Sequence, residues 1–472
     1  MAGTEIDILT IDRGLVIAPA GCGKTQLIID GLCRNASQKP ILILTHTNAG
    51  VAALRRRLEA ARVPGRAYRL TTIDGFAIRL VTTFPGAAQF DLSRLEAETP
   101  PYKDIRIAAC RILEKPRIHD TVLATYARLF VDEYQDCSSW QHGVIYYLSH
   151  ILPTCVLGDQ LQSIFGFGGD DLADWANHVC GHFPLAAELT TPWRWINAGE
   201  QPLGDWLLAA RQNLLAGRPV DIRTAPNQLT WVTLDGSNAD RARQLAAGRT
   251  KPPNEDGNVL IIGDSRSPES QRRFASQIHG ATTVEAVDLR DLVRFASQLS
   301  LSSPTLLRET ADFAASVMTS IAPDDLLQRV ATILGGRARR PADDVEQAAI
   351  HLARAPSYPG IGRLLTEMNR QSGVRVHRPL VLRACLRALN AASVHGGPTF
   401  SEAVVQTREQ YRMMGRSLPR RGVGSTLLLK GLEADVCVIL DADRLNAKNL
   451  YVALTRGSRR VVVCSRSPIL PP

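Results

Sequence analysis

The stretch APAGCGKT, residues 18–25, is the sequence feature that most constrains the fold. It follows the apolar run LVI and overlaps the start of TQLIIDGLC, which has the pattern of a helix. A glycine-rich turn between a strand and a helix directs several backbone N–H groups and the positive end of the helix dipole at one point, which suits a phosphate. The strand–loop–helix order therefore predicts a phosphate site in a parallel α/β fold.

Two side chains of this loop have specific predicted roles. Lys24 is predicted to reach the β- and γ-phosphates of a nucleotide, and the Thr25 hydroxyl is predicted to hold Mg²⁺. The residues predicted to bind the nucleotide from this loop are Ala20, Gly21, Cys22, Gly23, Lys24, Thr25 and Gln26.

Eight short apolar runs have the length and composition of buried strands that end in polar residues. The first four are LVIAPAG (15–21), PILILTHT (40–47), ARLFVDEYQD (127–136) and TCVLGDQ (154–160). The other four are LTWVTLDG (229–236), NVLIIGDS (258–265), DVCVILDAD (435–443) and RRVVVCSRS (459–467). Continuous apolar strands separated by helices are typical of parallel sheets covered on both faces, where ligands bind at the carboxyl ends of the strands. The pattern predicts two α/β lobes.

Two insertions are predicted from the segments that lack strand patterns. Residues 297–423 carry 17 arginines, no lysine and ten acidic residues, and their apolar spacing is largely helical. We expect this segment to be a mainly helical domain inserted into a second lobe (191–296 and 424–472). A smaller helical insertion, 77–125, interrupts the first lobe (1–76 and 126–190). The basic surplus of the larger insertion fits a polyanion, and it also fits an ordinary basic helix surface.

The composition is that of a globular protein without membrane spans. The hydrophobic share is 45% and the charged share is 21%, and no run of about 18 apolar residues occurs. The first residues lack a basic-then-apolar leader, so we expect a cytoplasmic protein with no membrane partner. None of the nine cysteines stands in a C-x-x-C spacing, which argues against a zinc ribbon or a disulfide framework.

The acidic segment VDEYQD, residues 131–136, ends the third apolar run. Carboxylates at the end of a buried strand are costly unless they meet a charged partner or water. Asp132 is placed to hold Mg²⁺ through water, and Glu133 to orient and deprotonate an attacking water. A solvated strand end gives a similar pattern, but together with the phosphate loop the segment indicates an ATP–Mg²⁺ site.

At this point a set of motifs in a fixed order resembles superfamily 1A helicases of the UvrD/Rep type. Besides the two segments above, the resemblance rests on LTHTNAGVAALRRRL (44–58), TTIDGFA (71–77), GDQLQSIFGFGG (158–169), LTTPWRW (189–195), GSTLLLKGLEADVCVI (424–439) and LYVALTRG (450–457). The resemblance implies two RecA-like lobes and a DNA-dependent ATPase. It implies that Arg194 and Arg456 approach the γ-phosphate, where a cation stabilises the transferring phosphoryl group. It also implies that Gln162 senses the γ-phosphate and that Glu433 contacts the ribose.

The same resemblance implies a DNA-binding set. Phe165 and Phe167 would stack on unpaired bases, each stacked base contributing roughly 1–3 kcal/mol. The alternative is that both phenylalanines belong to the core. His46 and Phe76 would also touch the strand, and threonine hydroxyls would meet backbone phosphates. Those threonines are Thr45, Thr47 and Thr72.

The chain departs from the family at four places. The family's adenine-reading glutamine before the phosphate loop is missing, since the first glutamine is Gln26. Asp74 and Leu427 stand where histidines are common, and Gly168 stands where an arginine follows the second aromatic residue. Adenine selectivity is therefore in doubt, and ATP hydrolysis is better supported than strand separation.

We expect an ATP- and Mg²⁺-dependent translocase or helicase that moves 3′ to 5′ on single-stranded DNA, or on DNA with ends or forks. The short chain and the reduced first insertion resemble the helicase-like subunit of the Gabija anti-phage system, which works with an OLD-family ATPase–TOPRIM nuclease. The alternative is a DNA-sensing ATPase subunit that switches such a nuclease and unwinds little. A kinase or GTPase with the same loop is disfavoured by the two arginine motifs late in the chain.

Overall fold

A computed structural model describes residues 6–96, 100–166, 170–286, 288–414 and 419–471. Its strands are β1 Arg13–Ile17, β2 Ile41–Thr45, β3 Tyr68–Thr72, β4 Leu129–Val131, β5 Thr154–Gly158, β6 Leu185–Glu188, β7 Val220–Asp221, β8 Leu229–Thr233, β9 Val259–Ile262, β10 Thr282–Thr283, β11 Arg421–Gly424, β12 Ala434–Ile439, β13 Gly457–Ser465 and β14 Ile469–Leu470.

The helices of the first half are α1 Lys24–Arg34, α2 Asn48–Ala60, α3 Ile73–Thr83, α4 Pro85–Ala88, α5 Tyr102–Leu113, α6 Pro116–Thr125, α7 Ser139–Leu148, α8 Cys180–His182, α9 Trp193–Ala198 and α10 Gln201–Leu215. Those of the second half are α11 Ala239–Gly248, α12 Pro268–Gln277, α13 Arg290–Gln298, α14 Leu306–Val317, α15 Pro323–Leu334, α16 Asp344–Arg354, α17 Tyr358–Arg370, α18 Pro379–Ala392, α19 Phe400–Met414, α20 Thr426–Leu429 and α21 Ala447–Leu454. Short 3₁₀ turns cover Tyr134–Asp136 and Gln160–Gln162.

The first sheet has six parallel strands in the order β3-β2-β4-β5-β1-β6. The central strands are fully buried, as their unbroken apolar runs predict. Because β4, β5 and β1 are neighbours, the loops that follow them open at one edge of the sheet. These are the loops that carry the phosphate-binding, acidic and GDQLQ segments.

The chain contains a second six-stranded sheet, which confirms the predicted fold class of two parallel α/β sheets. In it, β10 pairs with β11, β11 with β9, and β9 with β12, all in parallel. β13 pairs in parallel with β8. All eight strands expected from apolar runs are present.

The chain divides into two compact units, Met1–Thr233 with Ala442–Pro472, and Leu234–Asp441. The arginine-rich segment lies in the second unit and is built from α14 to α19, with its own buried core that includes Leu364 and Cys385. The exact lobe boundaries expected from the sequence remain a prediction.

The smaller insertion is helical and is fixed to the first sheet by a buried arginine. Arg106 of α5 is 6% exposed and pairs with both carboxylate oxygens of Asp74, at 2.6 and 2.8 Å. Its Nη1 donates to Asp170 at 2.8 Å. An arginine fork matches a carboxylate in this way, whereas a histidine at position 74 would not. The departure at Asp74 therefore has a structural reason.

None of the nine cysteines, all of which lie in the described residues, is in a disulfide. Among the described residues, no helix combines the length and the apolarity needed to cross a membrane.

A partly buried histidine of α7 makes the first unit sensitive to pH. His142 is hydrogen-bonded to the hydroxyl of Tyr134 at 2.7 Å, and the rings of His178 and His182 lie beside it. Burial and these two histidines lower the pKa of His142 to about 4, from 6.5. The unfolded state therefore binds this proton at higher pH than the folded state does.

We predict that the free energy of unfolding falls as the pH is lowered from 6.5 towards 4, because the proton favours the unfolded chain. For His142→Asn, which keeps an acceptor near Tyr134, the loss between pH 7 and pH 5 should be smaller by about 1–2 kcal/mol. Urea unfolding at the two pH values measures the difference. His395→Asn, a change at an exposed histidine, is the matched control and should behave as the wild type.

Candidate active site

The phosphate loop joins the end of β1 to the start of α1, as its sequence predicts. Gly21 and Gly23 have φ angles of +75° and +87°, a backbone region that favours glycine. A Cβ placed on Gly21 would lie 2.6 Å from the ring of Trp195, so a side chain has no room there. The loop is thus shaped by two backbone positions and by an indole ring that packs on its outer side.

Lys24 lies between the two predicted acidic residues. Its Nζ is 2.8 Å from Oδ1 of Asp132 and also contacts Oε1 of Glu133. Burial opposes the charged form of Lys24, but the two carboxylates raise its pKa above the ordinary value. Burial raises the pKa of Asp132, and the charge of Lys24 offsets this only in part. The predicted cation and both predicted acids are therefore brought together.

Glu133 adopts a left-handed conformation with φ of +54°, unusual for a residue with a side chain. Gln135 holds it there, because its Nε2 donates to Oε2 of Glu133 at 2.5 Å. The Oε1 of the same glutamine accepts the backbone N–H of Asp159 at 3.1 Å. Gln135 thus connects the predicted base to the loop after β5, a role that the sequence alone did not reveal.

Gln162, the predicted γ-phosphate sensor, is 9% exposed and sits at the end of a short 3₁₀ turn. Its Nε2 donates to Oδ2 of Asp159 at 3.2 Å. Asp159 is fully buried and pairs with Arg211 of α10. Arg211 also pairs with Glu188 at the end of β6, at 2.7 Å. Neither Arg211 nor Glu188 lies in a motif, so sequence reasoning missed both.

Arg194 lies beside the phosphate loop. Its backbone N–H donates to the carbonyl of Gly21 at 3.0 Å, and its Nη1 donates to the carbonyl of Thr455 at 2.5 Å. Arg456 directly follows Thr455 in the chain. It is 3% exposed, and its Nε donates to the carbonyl of Val452 at 2.8 Å. The segments carrying both predicted arginines are therefore adjacent to the loop. The guanidinium of Arg456 caps the last turn of α21 in this structure.

Tyr451 of α21 adds a contact that was not predicted. Its hydroxyl accepts the backbone N–H of Ala20 at 3.1 Å, and burial raises its pKa well above the ordinary value. Cys22 lies nearby in the loop, and burial raises the pKa of its thiol to about 12. A thiol of this kind is a neutral core group.

The residues present fit a magnesium ion. Mg²⁺ prefers oxygen ligands and keeps several waters, so one hydroxyl and one carboxylate suffice as protein ligands. Thr25 lies in the first turn of α1. Burial raises the pKa of Asp132, so a nearby cation would stabilise its charged carboxylate. Arg57 of α2, another residue without a predicted role, donates to Thr25 Oγ1 at 2.9 Å. Within the described parts of the chain, no group of three or more histidine, cysteine or acidic side chains is arranged to hold a metal.

Of the two predicted stacking phenylalanines, Phe165 is half-buried and meets His46 edge-on, with ring centroids 5.0 Å apart. Phe167 lies outside the described residues. His46 also approaches Asp136, with Nε2 to Oδ2 at 3.8 Å. Phe76 is only 4% exposed and packs near Tyr126 in the core, so its ring has no free face for a base in this conformation.

The three predicted threonines stand at or beside helix starts. Thr47 and Thr72 cap α2 and α3, accepting the backbone N–H groups of Gly50 and Gly75 at 3.1 and 2.9 Å. Thr45 is fully buried at the end of β2. The hydroxyls of Thr47 and Thr72 therefore have local structural roles in addition to any contact with a phosphate.

The two remaining predicted nucleotide contacts differ in position. Gln26 is exposed on α1 and donates to Asp30 at 2.7 Å, one helical turn away. Glu433 is half-buried directly before β12, in the second compact unit. Their roles toward a nucleotide remain predictions.

Residues 93–176 match the family model described as the UvrD/REP helicase N-terminal domain. This segment contains VDEYQD and GDQLQSIFGFGG, so the resemblance to UvrD-like helicases is confirmed. A search of curated proteins finds no match. Among solved structures, the Pif1 helicase from Candida albicans is similar at 11% identity and a TM-score of 0.40, over 97% of this chain and 92% of that chain. A complex of Arterivirus nonstructural protein 10 (helicase) with DNA is similar at 13% identity and a TM-score of 0.28, over 54% of this chain and 48% of that chain.

A pair of glycine substitutions separates the two constraints on the phosphate loop. Gly21→Ala combines a left-handed backbone with a clash against Trp195. Gly217→Ala has the same backbone demand, with φ of +69°, but nothing lies within 4 Å of its Cβ. We predict that Gly217→Ala costs about 1–2 kcal/mol of stability, and that Gly21→Ala costs about 1–3 kcal/mol more. Urea unfolding of both variants tests this, and equal losses would contradict the packing of Trp195 on the loop.

Proposed function

We propose that this UvrD-like chain of helicase superfamily 1 is a DNA-dependent ATPase that converts ATP hydrolysis into movement along single-stranded DNA. The proposal rests on the residues that meet at the phosphate loop. Lys24 of this loop pairs with Asp132 and Glu133, and the turn with Gln162 follows the neighbouring strand β5. Arg194 lies against the same loop. These are the parts of a phosphoryl-transfer site, and they come from separate motifs of the sequence.

The chemistry expected of each residue follows from its position. Lys24 and the N–H groups at the start of α1 would bind the β- and γ-phosphates of ATP. Glu133 would orient water and accept its proton, and Arg194 and Arg456 would balance the charge on the transferring group. Mg²⁺ at Thr25 and Asp132 would neutralise phosphate charge. Because Lys24 is paired with Asp132 and Glu133 in this structure, its ammonium group must change partners when the phosphates bind.

The step from ATPase to motor rests on the chain between Gln162 and Phe165. Only two residues separate the predicted phosphate sensor from a half-buried ring that lies against His46. Base stacking is nearly independent of sequence, which suits a protein that moves along a strand. A movement of the sensor would therefore be passed directly to the ring.

Lys24→Ala and Glu133→Gln are expected to reduce ATP hydrolysis at least about a hundredfold, since each removes a group that acts on the transferring phosphate. Wild-type hydrolysis should rise strongly when single-stranded DNA is added. Steady-state rates with and without DNA are the measurement. Lys39→Ala, at an exposed lysine that donates to the carbonyl of Leu123, is the control and should retain the wild-type rate. Hydrolysis indifferent to DNA would contradict the motor.

A second prediction concerns the ring of Phe165. Phe165→Leu keeps apolar volume but removes the stacking face, so the dissociation constant for a single-stranded oligonucleotide should rise about five- to a hundredfold. Phe165→Tyr keeps the face and should bind as the wild type does. Fluorescence anisotropy with a labelled oligonucleotide measures both. Equal affinities for the two variants would place the base contact elsewhere.

We extend the proposal to direction and context on the strength of the motif resemblance. Movement would be 3′ to 5′, and the chain would act in anti-phage defence with an OLD-family nuclease. Co-purification with the product of a neighbouring nuclease gene, and displacement of streptavidin from one labelled DNA end, test these points. Strong DNA-stimulated hydrolysis with little unwinding of a forked duplex would favour a DNA-sensing subunit over a helicase.

A further inference from the structure

Arg211 is buried in the interior of the first unit, with 2% exposure. Its guanidinium makes three bonds to acidic groups: Nε and Nη2 donate to Oδ1 of Asp159 at 3.2 and 3.0 Å, and Nη1 donates to Oε1 of Glu188 at 2.7 Å. Burying one cation between two carboxylates is costly unless all partners are held in place. The arrangement therefore fixes the ends of β5 and β6 relative to α10.

Asp159 passes this constraint to the predicted sensor. Its Oδ2 accepts the Gln162 amide at 3.2 Å, and its Oδ1 accepts the backbone N–H of Leu161 at 3.3 Å. The backbone N–H of Asp159 donates to Gln135, which in turn holds Glu133. One buried carboxylate thus sets the positions of both the sensor and the predicted base.

The helix that carries Arg211 also supports the segment of Arg194. A Cβ on Gly204 of α10 would lie 2.8 Å from Pro192 and 3.0 Å from Trp195, so the helix and this segment are in close contact. Tyr451 lies near Asp159 and Arg211, because the charges of both residues act on its pKa. Its hydroxyl accepts the backbone N–H of Ala20, so it connects this pair to the phosphate loop.

We infer that Arg211 is a positioning residue for γ-phosphate recognition: it holds Asp159, and through it Gln162, in the orientation that distinguishes ATP from ADP. This inference rests on the nucleotide-binding part of the proposed function. Arg211 does not touch the nucleotide itself, so it should affect the γ-phosphate response more than the binding of the rest of the nucleotide.

The planar fork of arginine is needed for this role. Two donors reach Asp159 while a third reaches Glu188, whereas the ammonium group of lysine is a single point charge. Arg211→Lys keeps the buried positive charge, which favours folding, but it cannot hold both carboxylates in the same geometry. Arg211→Met removes the charge and all three bonds while keeping an extended apolar side chain.

Nucleotide discrimination is the measurement. Dissociation constants for ADP and for a non-hydrolysable ATP analogue are determined by calorimetry with Mg²⁺, for the wild type, Arg211→Met and Arg211→Lys. We expect the preference of the wild type for the analogue over ADP to fall about tenfold or more in Arg211→Met, with ADP affinity within about threefold of the wild type. Arg211→Lys should fall between the two.

Arg128→Met is the matched control, because Arg128 is another arginine of the first unit and is partly buried. Its guanidinium donates to the carbonyl of Ile11 at 2.8 Å. Arg128 precedes β4, so it lies at the end of the sheet opposite to the candidate site. It should keep the wild-type preference. Thermal unfolding of each variant shows which are folded, and Arg211→Lys retains the test if Arg211→Met does not fold. A folded Arg211 variant with the wild-type preference would overturn the inference, and so would a wild type that binds ADP and the analogue equally.

The outcome is separable from the motor proposal. The calorimetric titrations use no DNA, so a chain whose hydrolysis ignores DNA still tests Arg211. Loss of discrimination in Arg211→Met together with hydrolysis that DNA does not stimulate would uphold the positioning role and reject the motor.

Discussion

The candidate site depends on the ion pairing of Lys24 with Asp132 and Glu133. The two loops that supply these groups follow β1 and β4, which are separated in the sheet by β5. Two carboxylates at a buried strand end repel each other unless a cation lies between them, and breaking such a buried pair costs roughly 3–5 kcal/mol. The lysine meets this requirement in the structure as it stands. Under the proposed function, Mg²⁺ held by Asp132 would supply positive charge at this position, and Lys24 would then be able to meet the phosphates.

A second buried network lies under the first and is organised by Asp159. Its side chain accepts from Arg211, from Gln162 and from the backbone of Leu161. A buried polar network stabilises one conformation only when every member has its partners, because each missing bond exposes a desolvated charge. The two networks meet at Gln135, which bonds to Glu133 and to the backbone of Asp159. The predicted acidic residues and the predicted phosphate sensor are therefore positioned by one connected set of side chains.

The sequence predicted the parts of this site that have a local pattern. The phosphate loop, the acidic strand end and all eight apolar strands follow from runs of neighbouring residues. What it did not predict are partners that meet only in the folded chain: Arg211, Arg57, Tyr451 and the pair of Asp74 with Arg106. Six short strands of the described residues were also missed: β3, β6, β7, β10, β11 and β14. The first two are edge strands with much exposure, and β11 has the sequence RGVG, which has little β-propensity. Phe76 is buried in the core of this structure, and its contact with DNA remains a prediction.

The position of His46 indicates how the proposed nucleotide and DNA contacts would be coupled over a short distance. Its ring lies against Phe165, and its Nε2 is 3.8 Å from Asp136, a residue of the turn that follows the predicted acidic pair. Phe165 itself follows the turn that contains Gln162. The loop with Gln162 continues into Phe165, and the loop with the predicted acids approaches His46 through Asp136, so both predicted nucleotide loops reach the pair of rings that would meet a base. A shift of either loop would move the rings of His46 and Phe165, because the two rings are in edge-to-face contact.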